Sequence, residues 1–196
     1  NFIYSNLHSQ INNSIVVKVG NSLITSLDVQ NEIITNLVIN KVEISQVSID
    51  SNKQFSLQSL IKKKIKSDEV KRFQIKDFSA EALQNYIDSI AKNLDTDQNG
   101  LKEIFRQKGI SYQAFVESYK NELLWNTLIF SIYRDQTNIN IIEVESELED
   151  MKNNKSEEEL KKIKEQITNR KKSQKLNLFS RSHFSNLENS ILVEFQ

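Results

Sequence analysis

The residues with the clearest chemical spacing are Asp95-Thr96-Asp97-Gln98-Asn99-Gly100, which match the opening of an EF-hand calcium loop, with Glu103 at loop position nine. Such a loop wraps a hard cation in oxygen ligands and needs a bidentate glutamate at position twelve. Arg106 stands there instead and would set positive charge where a carboxylate should grip the ion. The same residues make a good polar turn between helices, since Asp, Asn and Gly favour turn geometry. That turn is the reading carried forward, with a calcium-responsive helical module on Asp95–Glu103 as its rival. No metal or other cofactor is expected.

Other chemistries are excluded by composition. Zero Cys removes disulfides, thiol nucleophiles and Cys-based zinc sites, and the two His, His8 and His183, are too few for a multi-His centre. Three Gly and no Pro leave no glycine-rich phosphate loop. No Ser/His/Asp arrangement is suggested by spacing, and scattered carboxylates without a pocket make no acid/base pair, so no catalytic residue is expected. The basic run Asn169–Lys175 follows the acidic Glu157–Glu159 and reads as a solvated helix face. With 26 basic and 26 acidic residues the net charge is zero, which argues against nucleic acid as a partner. Aromatic residues are the remaining recognition chemistry. Tyr112, Phe115, Tyr119, Trp125 and Tyr133 fit either a helical core or the lining of a peptide groove, and Phe73, Phe78 and Tyr86 lie on the preceding segments.

These side chains need elements to hold them. The 196 residues, 38% hydrophobic and 27% charged, suffice for a globular core, and no apolar run reaches the ~20 residues that span a bilayer. Ser14–Thr25 reads as a β-hairpin about Gly20-Asn21, and Thr25 with Asp28 opens a helix. Lys41–Asn52 alternates like a strand without a clear period and is taken as irregular. Leu57, Leu60, Ile61 and Ile65 recur at helical spacing. Ser79 caps a helix carrying Leu83, Tyr86, Ile87, Ile90, Ala91 and Leu94. A short helix around Leu101, Ile104 and Phe105 ends at Gly109, a left-handed residue with Ile110 as its apolar companion. Ser111 opens the strongest helix, to about Arg134, apolar on most sides after Leu123 and therefore the core. Asn138–Met151 is a short acidic helix, and Ser156 with Glu159 is the capping box of a long basic one. NSILVEFQ is a strand whose obvious partners are the N-terminal strands.

This succession resembles a known family. IVVKVGNSLIT leading into SLDV, then LQSLIKKKI, FSAEALQNYIDSIAK, a helix ending KGI, SYQAFVESYKNELLWNTLI and NINIIEVESELE is similar to the N-terminal domain of SurA-like periplasmic chaperones over residues 14–150. NRKKSQKLNLFSRSHFSNLENSILVEF resembles that family's C-terminal helix and strand, within 156–196. The chain departs from the family between Met151 and Ser156, where there is no room for a parvulin-type isomerase module. The resemblance implies a mainly α chaperone core spanning 1–196, with a small antiparallel β-sheet joining the hairpin to the C-terminal strand. It further implies a periplasmic, ATP-independent, non-catalytic holdase. Its partners would be unfolded outer-membrane-type proteins or aromatic-rich extended peptides, with pairing along a strand edge as a second contribution. Phe73, Phe78, Tyr86, Tyr112, Phe115 and Tyr119 are the expected client-binding residues. A structural subunit with one dedicated partner is the further alternative. The chain opens on Asn1 rather than Met, which reads as a processed mature form or an excised piece.

Overall fold

A computed structural model describes residues 13–153 and 155–196. His8 and Asn154 of the KNNK link lie outside the described residues. The protein is mainly helical with a small three-stranded antiparallel sheet. Strands β1 (Ile15–Val19) and β2 (Ser22–Thr25) form the hairpin. Gly20 takes a positive φ of 54° while Asn21 does not, the signature of a two-residue turn with glycine first. Thr25 then closes a reciprocal capping box with Asp28, and α1 (Ser26–Ile39) begins.

α2 (Gln46–Arg72) starts inside the stretch expected to be irregular. Its box is Ser45 with Ser48, a hydroxyl where the usual signal is Glu or Gln. The strand-like alternation does not mark a buried strand face: Val42 and Ile44 before the helix and Val47 within it are exposed, and only Ile49 packs on the core beneath the sheet. α3 (Ala80–Asn93), α4 (Gln98–Gln107) and α5 (Tyr112–Tyr133) open on Ser79, Asp97 and Ser111 as side-chain caps. Gly109, at φ 69°, ends α4 and lets the Ile110 amide donate to the Phe105 carbonyl at 2.8 Å. After a 3-10 turn at Arg134–Gln136 come α6 (Ile141–Asp150) and α7 (Glu157–Ser190). β3 (Val193–Phe195) pairs antiparallel with β1, giving the order β2-β1-β3, so the expected closure of the chain's two ends in one sheet is present.

Four apolar clusters follow from this arrangement. Val17, Val19 and Ile24 of the sheet pack on α1 and α2 through Ile33, Leu37, Ile61 and Ile65. Ile87, Ala91, Leu101, Phe105, Ile110 and Phe115 join α3, α4 and the start of α5. Trp125, Leu128 and Ile129 meet Val70 of α2 and, on α7, Leu176, Phe184 and Leu187. Val144, Leu148 and Ile167 bind α6 to α7. The second half of α5 is core as expected, with Trp125 and Leu128 fully buried, but not on all sides: Phe130 is exposed. α2 and α7 occupy the two flanks that the widened stripe provides.

Candidate functional site

α2 packs against both α1 and α5, and the space left between those two helices is an open cleft of about 470 Å³. Its aromatic wall comes from residues that sequence spacing singled out. Tyr86 of α3 stacks on Tyr119 of α5, ring centroids 3.5 Å apart and 6° from parallel, and lies 5.8 Å from Phe115. Phe105 supports Phe115 from behind, edge to face at 5.1 Å. Burial pushes the Tyr86 phenol above its ordinary pKa, with the charges of Tyr119 and Glu32 adding to the rise. Tyr86 therefore stays neutral through the physiological range.

The remaining walls are polar, and most of the charges among them are engaged: Asp28 accepts from Thr25 and Glu117 pairs with Lys120, while Lys64 has no partner among the described residues. Glu32 receives Lys63 at 2.7 Å and the Ser59 hydroxyl at 2.9 Å, and Lys66 meets Glu122 at 2.6 Å. Among the uncharged groups, Asn36 donates to Ser56 and Ser111 caps α5, but others are free. Asn31 and Thr35 on α1 and Ser118 and Asn121 on α5 line the cleft without a side-chain hydrogen bond to any described residue. An aromatic platform beside uncommitted amides and hydroxyls suits an extended polypeptide, whose side chains need apolar contact and whose backbone needs donors and acceptors.

The six expected aromatic residues do not form one groove. Tyr86, Phe115 and Tyr119 line the cleft, with Phe115 almost buried. Tyr112 stands behind them against Phe105 and under Lys102, and burial, then Asp88, raises its pKa. Phe73 is the C-cap of α2, partly exposed beneath Arg72, and Phe78 packs toward Trp125's cluster beneath Lys120. Asn31, Thr35, Ser118 and Asn121 were missed because polar residues at half-buried helix positions carry no distinguishing sequence signal.

A second constellation was also missed. Glu69 of α2, its side chain only 4% exposed, takes Arg72 through two hydrogen bonds and His183 Nε2 at 3.0 Å. His183 Nδ1 lies 2.9 Å from the Tyr133 hydroxyl, and its ring edge meets Trp125. Burial opposes charge on Glu69, but the hydrogen bonds from Arg72 and His183 outweigh it and hold the carboxyl below its usual pKa. His183 is thus a clamp between α2, α5 and α7, with both ring nitrogens engaged.

The calcium-like loop is otherwise committed. Asp97 caps α4 by accepting from the Gly100 amide at 2.8 Å, Asp95 pairs with Lys41 at 2.7 Å, and Glu103 grips Arg106. The Arg106 bond brings the Glu103 carboxyl down to about 2. From Gln98 the would-be loop is helix, so its carboxylates do not converge, and no cluster of three or more potential metal ligands occurs among the described residues. Gly100 has a packing reason instead: a Cβ there would lie 1.7 Å from the Thr96 hydroxyl.

The basic run is not merely solvated. Arg170 bonds Glu147, Lys171 reaches Glu143 and Glu147 at 3.5 and 3.6 Å, and upstream Lys164 bonds Glu145, so α7 and acidic α6 form an ionic seam. Lys175 donates to the Asn138 carbonyl at 2.9 Å. No helix among the described residues is long and apolar enough to cross a membrane. Against known proteins, no family model matches the chain and no curated protein matches it.

Proposed function

We propose that the protein is an ATP-independent, non-catalytic holdase of SurA-like type, working in the periplasm without an isomerase module. The observation that carries this reading is the cleft between α1 and α5: stacked Tyr86 and Tyr119 on one side, and uncommitted Asn31, Thr35, Ser118 and Asn121 around them. An extended client segment lays aromatic or aliphatic side chains on the tyrosine stack while the free amides and hydroxyls meet its backbone. Main-chain hydrogen bonds are available from any sequence, so capture is broad and weak, and the client keeps much of its disorder. Lys63–Glu32 and Lys66–Glu122 are paired and the Lys64 charge is offset by Asp28 on the same cleft, which leaves little unbalanced field, so apolar contact dominates over steering. The element order and the returning C-terminal strand support the same reading through the family resemblance.

The test is aggregation of a urea-diluted outer-membrane β-barrel protein without nucleotide. A few-fold molar excess of the chain suppresses light scattering, the effect survives raised salt, and Tyr119→Ser weakens it about ten-fold without changing the helical circular dichroism. Suppression that vanishes at moderate salt, or that ignores Tyr119, refutes capture in this cleft. Pull-down of one stoichiometric species and no unfolded client would point to a subunit with a dedicated partner.

A further inference from the structure

β3 is an edge strand, and its backbone register shows which groups it leaves open. The Gln196 amide donates to the Val16 carbonyl and the Gly20 amide to the Leu192 carbonyl, both at 2.9 Å. These bonds define the pairs Val16–Gln196 and Gly20–Leu192, and Lys18–Glu194 falls between them in the same register. In an antiparallel ladder hydrogen-bonded pairs alternate with non-bonded ones, whose amides and carbonyls turn to the far side. Val193 and Phe195, opposite Val19 and Val17, are the non-bonded members. Their N–H and C=O groups therefore face away from β1, and no described strand receives them. Beside this edge Phe195 is 63% and Leu192 68% exposed.

We propose that the outer edge of β3 is a strand-addition site for an extended client segment with alternating apolar and polar residues. The inference rests on the holdase reading and adds a second contact surface to the cleft. A new strand would exchange main-chain bonds with Val193 and Phe195 and set an apolar side chain beside the Phe195 ring. Short strands keep such edges from pairing indiscriminately, and a three-residue edge gives reversible binding. A second copy of this chain is the poorer occupant. Two β3 strands related by a two-fold axis, using all their outward groups, would centre on residue 194 and set Glu194 directly against its own copy. Like charges directly opposite across strands are unfavourable. Glu194 is already balanced by Lys18 on its own sheet, 3.6 Å away, and a client segment brings no such conflict.

The probe is a fluorescein-labelled ten-residue peptide of alternating aromatic and polar residues, titrated with the full chain. Phe195→Pro deletes the outward amide and no bond to β1, whereas Phe195→Ala deletes the ring and keeps the amide. Phe195→Pro is expected to raise Kd about ten-fold, Phe195→Ala about three-fold, both with a melting temperature near that of the parent. Equal losses in the two variants would assign the effect to the ring and overturn strand addition. In case Pro disturbs the sheet, the parent protein is titrated with peptides N-methylated on one alternate set of residues or the other. Loss with one set only supports edge pairing, and equal affinity for both overturns it. If Phe195→Pro binds like the parent while Tyr119→Ser does not, the edge fails and the holdase reading stands. If the unmodified peptide does not bind and no client is held, both fall.

Discussion

Glu69 holds a charge where burial alone would remove it, and the reason is local: Arg72 donates to both carboxylate oxygens from one helical turn away and His183 reaches in from α7. A carboxyl whose pKa is lower folded than unfolded adds stability above its unfolded value of about 4.5 and loses it as pH falls through the folded value. Glu69→Gln should therefore cost about 2 kcal/mol at pH 7, the range for charge-assisted hydrogen bonds. The difference from the parent should shrink toward pH 3, and urea titrations at the two pH values measure it. A constant difference across that range would mean that packing rather than charge holds Glu69. Single-residue roles were the least legible part of the sequence. Tyr86, Phe115 and Tyr119 could be picked out because aromatic residues recur at helical spacing. His183 could not, because Glu69 is 114 positions away and only the packing of α7 on α2 unites them.

Helix ends show where local sequence rules hold and where they fail. Thr25, Ser79, Ser111 and Ser156 were readable as caps because each hydroxyl precedes an apolar period, and Gly109 because glycine is the usual left-handed terminator. Three further helices end in the same geometry on residues that give no warning: Lys41, Gln74 and Asp95, at φ 55°, 55° and 57°. A side chain in that region costs roughly 1 kcal/mol relative to glycine. Gln74 is exposed and its amide donates to the Lys71 carbonyl, a bond that glycine keeps. Gln74→Gly should raise stability by about 0.5–1 kcal/mol, read as an upward shift in the thermal midpoint. An unchanged or lower midpoint would show that the turn is held by something other than this backbone geometry. The start of α2 was lost for a related reason, since Ser48 fills a role that Glu or Gln usually announces. The ionic seam of α6 and α7 was hidden because two runs of opposite charge look alike whether they face each other or water.

At the scale of the whole molecule the sheet ties together parts of the chain that the clusters only partly share. β1 lies in the middle, β2 reaches it across a tight turn, and β3 reaches it from the other end of the described chain. A two-stranded hairpin is marginal alone, so the third strand matters to more than its three residues. Ile191 and Val193 also pack on the cluster beneath the sheet. Removal of Ile191–Gln196 is expected to cost at least about 2 kcal/mol from lost apolar burial and to speed amide exchange in β1 selectively. A truncated chain that melts like the parent, with β1 still protected, would show that the sheet does not depend on its last strand. The hairpin and its partner strand were legible because two periods and one turn specify them; the register was not, since nothing local fixes Val17 opposite Phe195. The same arrangement has a consequence in time. The strand that flanks β1 on its second side leaves the ribosome after nearly everything else described here. Until then the middle strand of the finished sheet is an open edge, and α1, α2 and the hairpin can gather only a provisional core. The final locking step must come after β3 has emerged, so a protein proposed to guard unfinished chains must itself pass through a stage with an exposed strand.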